Sequence, residues 1–172
     1  MKNLEVKFRL DDLADAERRA AGIGYTRRAI LRQRDTFFRV ANGKLKLREE
    51  NDGAVLIHYR RADSESLMLS EYEIVAIADP EKTRIMLEAA LGALSVVAKE
   101  RILMTRENVR FHLDRVESLG TFGEIEAVIA EGDDPERSRA AVERLLTALG
   151  IAPSGLISVS YFELMQDGNF GG

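Results

Sequence analysis

The chain has 172 residues, of which 45% are hydrophobic and 31% charged, a composition typical of a globular domain with an apolar core. Its formal net charge of -4 argues against general nucleic-acid binding, although 25 Lys and Arg residues are enough for a local basic site. The absence of cysteine excludes disulfides, thiolate metal sites and a cysteine nucleophile.

The hydropathy of the chain gives no sign of export or membrane insertion. The first residues, MKNLEVKF, lack the apolar core of a signal peptide. No segment approaches the roughly 18 consecutive apolar residues of a membrane span. We therefore expect a cytoplasmic protein without a membrane or nucleic-acid partner, folded as a single domain over residues 1–172.

The first third of the chain predicts a strand, a helix and a three-stranded meander. Residues 3–10 alternate between polar and apolar side chains, as a strand with one apolar face does. An aspartate at position 11 or 12 can cap a helix that runs to about Ala21. Two turn signals separate the strands that follow, Asn42-Gly43 and Asp52-Gly53.

The rest of the chain predicts two further helices among more strands. Asp79-Pro80 can start a helix, because proline in the first turn loses no hydrogen bond, and apolar residues from Ile85 to Leu94 supply its inner face. Another helix is predicted over 133–149, where Gly150 ends it. The remaining candidates are strands at 67–75 and 95–105 and a last helical turn at 160–165.

Residues 110–129 predict a hairpin with one charged face. Two alternating runs flank Leu119-Gly120-Thr121, which we interpret as the turn. Side chains alternate between the two faces of a strand, so the polar residues of both runs share one face. That face carries Arg110, His112, Asp114, Glu124 and Glu126.

About eight strands joined mostly by short turns, with about three helices, predict an α+β fold dominated by one antiparallel sheet or barrel. Charges recur on the polar faces of several strands: Glu5, Lys7, Arg9, Lys46, Arg48, His58, Arg60, Lys99 and Arg101. One interpretation is a solvated face, which antiparallel sheets often have. The alternative is the interior of a barrel, because cations and acids are segregated by strand and helices can cover only one face. Such an interior needs compensating ions or a charged ligand.

The residue types indicate which ligand a charged interior would hold. Clustered Asp and Glu without Cys suit Mg²⁺ or Mn²⁺, which prefer oxygen ligands. Clustered Arg and Lys suit phosphate oxygens, to which Arg presents a planar fork. Both together favour a divalent metal bound to a polyphosphate.

Six short segments, distributed over nearly the whole chain, carry a resemblance to a known family. They are LEVKFRL at 4–10, RDTFFRVANGKLKLREE at 34–50, LIHYRR at 56–61, KERI at 99–102, RFHLDRVESLGTFGEIE at 110–126 and SYFELM at 160–165. In this order and spacing they resemble the CYTH superfamily, which contains class IV adenylyl cyclases, thiamine triphosphatases and inorganic triphosphatases. The class IV adenylyl cyclase-like branch is the most similar.

The resemblance implies an eight-stranded antiparallel barrel, a triphosphate tunnel, with about three helices packed outside. It assigns phosphate binding to Lys7, Lys46, Arg48, Arg60, Lys99 and Arg101. It assigns the metal, Mg²⁺ or Mn²⁺, to Glu5, Asp114, Glu124 and Glu126. Among these residues, the resemblance implies that Lys7, Arg48 and Arg101 carry the catalysis.

One position departs from the family pattern. The opening signature of the family is Glu-x-Glu-x-Lys; Glu5 and Lys7 match its last two charged positions, but Asn3 replaces its first Glu. An asparagine offers a carbonyl oxygen without a negative charge, so metal binding should be weaker. A one-metal site remains, and a second metal is in doubt.

The resemblance implies a metal-dependent enzyme acting on ATP, tripolyphosphate or thiamine triphosphate, either as a hydrolase or as an adenylate cyclase producing cyclic AMP and pyrophosphate. The alternative is a non-catalytic binder of ATP or polyphosphate, weakened at Asn3. We interpret His112 as a tunnel-lining or structural residue, and Tyr161 and Phe162 as packing at the barrel mouth. A homodimer is compatible with such a tunnel, although no feature of the sequence argues for one.

Overall fold

The computed structural model describes residues 2–61, 68–130 and 132–168, and it confirms the predicted α+β class. The strands are β1 Lys2–Arg9, β2 Thr26–Phe38, β3 Lys44–Glu50, β4 Gly53–Arg61, β5 Met68–Ile77, β6 Ala93–Arg106, β7 Val109–Val116, β8 Gly120–Ile129 and β9 Leu156–Ile157. The helices are α1 Leu13–Gly22, α2 Pro80–Leu91, α3 Pro135–Leu149 and α4 Tyr161–Gly168. None of these helices combines the length and the hydropathy needed to cross a membrane.

The strands form one antiparallel sheet in the order β5-β4-β3-β2-β6-β7-β8-β1-β9. β1 also pairs with β5, where Asn3 lies opposite Ser70 and Glu5 opposite Met68. Each of the eight long strands therefore pairs with two of the other seven, an arrangement consistent with the predicted tunnel. The two-residue β9 adds a short pairing beside Lys7 and Phe8 of β1.

Two groups of helices cover the outer face of the sheet. α1 and α3 pack on β7 and β8, where Phe111, Leu113, Ile125 and Leu145 are fully buried in one apolar cluster. α2 packs on β2, β3 and β4 through a smaller cluster that includes Leu47. Because the apolar residues of the strands occupy this outer face, alternation places their charged residues on the inner face.

The helix starts follow the predicted capping. The side chain of Asp12, rather than that of Asp11, accepts a hydrogen bond from the Asp15 N–H at the start of α1. Asp79 and Asp134 cap α2 and α3 in the same way. The prediction that Leu94 lies on the second helix is wrong. The helix ends at Leu91, Gly92 follows as its C-cap with φ +78°, and Leu94 belongs to β6.

One predicted turn is displaced, and one glycine has a packing role. The turn between β7 and β8 spans 117–119 instead of Leu119-Gly120-Thr121, because the Leu119 N–H bonds to the Val116 carbonyl.

In β8, Gly123 lies directly opposite Phe8 of β1, and a Cβ at position 123 would lie 2.4 Å from a ring carbon of Phe8. This close packing fixes the register that sets Glu124 opposite Lys7.

Candidate functional site

The inner faces of the strands surround a cavity of about 520 Å³, which we call the channel. Its lining cations are Lys7, Lys46, Arg48, Lys99, Arg101 and Arg110. Its acids are Glu5, Asp35, Glu50, Glu124 and Glu126, with Asp114 buried behind the Arg101 side chain. Charge in this part of the described chain is therefore nearly balanced. Several of these groups are almost inaccessible to water, so the solvated-face interpretation is wrong.

Asp114 is the anchor of the cations on β6. It lies directly opposite Arg101 in the β6–β7 pairing and is 0% exposed. Arg101 Nε donates to Asp114 Oδ1 at 2.6 Å, and Nη2 donates to Oδ2 at 2.5 Å, which is a bidentate pair. Lys99 Nζ donates to the same Oδ2 at 3.3 Å. Burial by itself would raise the pKa of Asp114, but Arg101 and Lys99 lower it to about 2.

Asp35 anchors the cations on β3 in the same manner. It lies directly opposite Arg48 in the β2–β3 pairing and is 3% exposed. Arg48 Nε and Nη2 donate to its two oxygens at 2.7 and 2.6 Å, and Lys46 Nζ donates to Oδ2 at 2.7 Å. These two cations hold the pKa of Asp35 far below its usual range, against the effect of burial.

Glu124 connects β8 to cations on two other strands. Lys7 Nζ lies 3.0 Å from Glu124 Oε1, and Arg101 Nη2 donates to Oε2. Burial opposes ionisation, yet Lys7 and Arg101 hold the pKa of Glu124 well below its usual range. His112 lies beside it, with Nδ1 3.9 Å from Oε2. Burial and the neighbouring Arg101 lower the pKa of His112, so this imidazole is neutral at pH 7.

Glu5 and Glu126 form an acidic pair at the β1–β8 pairing, where they lie directly opposite each other. Asn3 Nδ2 donates to Glu126 Oε1 at 2.5 Å, and Arg110 Nη1 lies 3.7 Å from Oε2. Like charges in this position are destabilising. Within 2–61, 68–130 and 132–168, no group of three or more His, Cys, Asp or Glu side chains is arranged to hold a metal. Mg²⁺, however, commonly uses only one or two protein carboxylates together with substrate phosphates, and the pair fits that requirement.

Comparison with known proteins identifies the family. Residues 1–161 match the CYTH domain family. The chain belongs to that family. CYTH proteins share a triphosphate-binding fold, which agrees with a channel lined by buried Lys and Arg.

Individual relatives cover the chain almost completely. A Methanocaldococcus jannaschii protein with the provisional name adenylate cyclase is 27% identical over 173 residues, covering 95% of this chain and 98% of that protein. The PH1012 protein of Pyrococcus horikoshii is 26% identical, with a TM-score of 0.82 over 94% of this chain and 98% of its own. A Hippeastrum protein, whose structure is described as revealing a dominant triphosphatase activity, is 19% identical, with a TM-score of 0.69 over 97% and 95% of the two chains.

The structure brings together most of the residues that the CYTH resemblance singles out. The side chains that line the channel as predicted are Glu5, Lys7, Lys46, Arg48, Lys99, Arg101, Glu124 and Glu126. Asp114 lies behind this lining, and a metal could reach its oxygens only by displacing Arg101, Lys99 or Tyr161. Its predicted role as a metal ligand stays untested.

The placement of Arg60 in the channel is wrong. Ile57 and Tyr59 of β4 line the channel, and alternation turns the side chain of Arg60 to the outer face, where it is exposed. The neighbouring His58 is likewise directed away from the channel, and its Nε2 lies 3.0 Å from the Asn42 carbonyl oxygen. The basic wall is therefore built by β1, β3, β6 and β7, without a contribution from Arg60.

Sequence reasoning missed the channel role of two residues, Asp35 and Tyr161. Strand alternation could have identified Asp35, because Gln33, Asp35 and Phe37 are spaced two residues apart and therefore share one face of β2. Tyr161 packs as predicted but does more: its hydroxyl donates to Asp114 Oδ2 at 2.9 Å. Its ring centre also lies 4.4 Å from Lys7 Nζ and 4.8 Å from Lys99 Nζ.

Proposed function

We propose that this CYTH protein is a divalent-metal-dependent enzyme that acts on a triphosphate held in the channel. The observation that carries the proposal is the convergence of five buried or half-buried cations on one cavity. They are Lys7, Lys46, Arg48, Lys99 and Arg101. Each is held by a carboxylate, so the cations are already arranged before a ligand arrives.

The anchored cations retain hydrogen-bond donors for phosphate oxygens. A guanidinium has five N–H groups; Asp35 occupies two of them on Arg48, whereas Asp114 and Glu124 together occupy three on Arg101. An ammonium has three, of which the same aspartates take one each on Lys46 and Lys99. A phosphate chain offers only acceptors along its length, so it matches this wall of remaining donors.

The charge balance supports a metal that arrives with the substrate. Because the channel charges of the described residues nearly cancel, a triphosphate alone would leave several negative charges uncompensated in a poorly hydrated space. Glu5 and Glu126 would hold Mg²⁺ or Mn²⁺ beside the phosphates, with Glu124 adjacent on the same strand face. When bound, the cation would neutralise charge on the phosphate oxygens.

The chain's own contribution to the reaction is positioning and electrostatic stabilisation. Lys7, Arg48 and Arg101 would hold the phosphate chain and stabilise the charge that develops on its oxygens in the transition state. Two reactions fit this arrangement. Water can attack the terminal phosphorus, which releases orthophosphate, or the ribose 3′-hydroxyl of ATP can attack the α-phosphorus, which gives cyclic AMP and pyrophosphate. Both depend on recognition of the phosphate chain.

The test is product formation by the purified protein. It is incubated with Mg²⁺ or Mn²⁺ and with tripolyphosphate, thiamine triphosphate or ATP, and orthophosphate, pyrophosphate and cyclic AMP are measured. Arg48→Ala should lose turnover, whereas Arg115→Ala, which removes an exposed arginine outside the channel, should not. Tight binding of a triphosphate with no product under either metal would contradict the enzyme and support a non-catalytic binder.

A further inference from the structure

Asp35 lines the channel and holds two of its cations, Lys46 and Arg48, without itself being a ligand for phosphate. We propose that Asp35 is a positioning residue, which holds Lys46 and Arg48 in the arrangement that binds the phosphate chain and keeps Lys46 protonated. This inference rests on the proposed triphosphate site. The inference adds to the proposed function that one wall of the site is arranged by a buried carboxylate, which does not itself contact the substrate.

The geometry of Asp35 is that of an anchor. Its side chain is 4% exposed, whereas those of Lys46 and Arg48 are 14% and 16% exposed. The carboxylate therefore lies behind the two cations, which remain accessible from the channel. Both of its oxygens accept charge-assisted hydrogen bonds at 2.6 to 2.7 Å, and one of the pairs is bidentate.

The same arrangement occurs a second time, on different strands. Asp35 lies directly opposite Arg48, and Asp114 lies directly opposite Arg101. In both cases a lysine two residues before the arginine binds the same aspartate. Buried ion pairs add little to stability compared with apolar residues of similar volume. Two such groups facing one cavity are therefore better explained by a ligand that both bind than by the stability of the sheet.

The electrostatics of Lys46 explain why it needs this anchor. Burial, Arg48 on the same strand and Lys99 from β6 all lower the pKa of Lys46, while Asp35 raises it, with a net value of about 8. The rings of Tyr59 from β4 and Phe37 from β2 also lie near the ammonium, with their centres 5.7 and 5.6 Å from Nζ. Without the carboxylate, the pKa of Lys46 falls further, and the ammonium loses its proton at a lower pH.

The test compares wild type with Asp35→Asn, which has nearly the same shape but no charge. Calorimetry measures the affinity for a methylene-bridged tripolyphosphate analogue with Mg²⁺ between about pH 6 and about pH 9, on either side of the pKa of Lys46. We expect roughly tenfold weaker binding at the alkaline end, the size of one charge-assisted hydrogen bond. The difference should shrink towards acid pH, because Lys46 is then protonated in both proteins.

Control variants distinguish a role of Asp35 in ligand binding from a general effect on the fold, and from the question whether the channel binds triphosphate at all. Asp79→Asn, which removes a carboxylate that caps α2 and does not line the channel, should leave both affinity and pH profile unchanged. Asp35→Glu keeps the charge, so its affinity for the analogue at alkaline pH should be close to that of wild type. Equal affinity of Asp35→Asn and wild type at every pH would overturn the inference while leaving the triphosphate site intact.

Two further outcomes are decisive. Failure of wild type to bind the analogue with Mg²⁺ or Mn²⁺ would overturn the proposed function itself, and the inference with it. If Asp35→Asn does not fold, Lys46→Met provides the measurement, since it removes the titrating group. The alkaline loss of affinity should then disappear, and its persistence would overturn the role of Lys46 on which the inference depends.

Discussion

The two faces of β7 are both buried, but for different physical reasons. On the outer face, Phe111 and Leu113 are 0% exposed and pack in the apolar cluster under α1 and α3. On the inner face, His112 and Asp114 are 7% and 0% exposed among cations. The outer face gains free energy from removing apolar surface from water. On the inner face, the free-energy cost of removing the charges from water offsets much of the electrostatic attraction between them.

This difference separates the part of the molecule that stabilises the fold from the part that is arranged for a ligand. Removing an apolar side chain from the outer face should change stability and leave ligand affinity alone. Removing one partner from the inner face should change both, because the remaining charge stays buried without its partner.

Arg101→Ala should have the largest effect, because Arg101 binds two carboxylates and lines the channel. We expect more than a hundredfold loss of affinity for the triphosphate analogue, consistent with the loss of several charge-assisted hydrogen bonds. Stability should fall by about 3–5 kcal/mol, because Asp114 is left buried beside fewer cations. Calorimetry and urea unfolding measure the two effects. Unchanged affinity would refute the channel as the triphosphate site.

Phe111→Ala should be nearly as damaging to stability but not to binding. Its fully buried ring packs beside Phe8, with ring centres 6.4 Å apart. We expect a loss of about 3–5 kcal/mol in the free energy of unfolding, from lost transfer energy and the cavity left behind. Affinity for the analogue, measured where the variant remains folded, should equal that of wild type. A parallel loss of affinity would show that the two faces are not independent.

Acid should weaken the inner face selectively. The pKa of Asp114 is depressed from 3.8 to about 2 in the folded state, so the unfolded state binds its proton first as pH falls. The stabilisation is therefore present above about pH 4 and is lost as pH falls through about 2, by about 2 kcal/mol. Urea unfolding across this range should show a smaller pH dependence for Asp114→Asn than for wild type. Identical slopes would contradict the ion pair with Arg101.

Asn3→Glu should have the smallest effect, and it acts on the metal. It adds a third carboxylate beside Glu5 and Glu126, in the position that Asn3 now occupies. We expect about tenfold tighter Mn²⁺ binding, since affinity for a hard cation rises with the charge of its ligands. The free Mn²⁺ signal in electron paramagnetic resonance measures it. Asn42→Glu adds the same charge at an exposed turn and should not change it; equal effects of both variants would refute the site.

Particular residues show how far the sequence could be interpreted. The alternation in 110–129 identifies the residues that share a face, because a strand has a period of two whatever it packs against. His112 and Glu124 are therefore assigned to one face correctly. The prediction that Arg60 binds phosphate in the channel fails for a local reason. In Tyr59-Arg60-Arg61 every side chain has a polar group, so alternation cannot show which of them faces the channel. Asp35 was missed because its partners, Lys46 and Arg48, lie on the next strand and are specified only by register.

Local sequence patterns predict the fold class, most of the strands, the capped helices and a set of charged residues with the chemistry of phosphate and metal binding. These follow from local rules, namely alternation, capping and turn chemistry, together with residue type. From alternation alone the charged face could be solvated or internal, and the tertiary structure shows that it is internal. The structure also shows that each Lys-x-Arg pair is held by an aspartate from a neighbouring strand. Burial and cross-strand partners depend on how distant segments pair, and no local pattern contains that information.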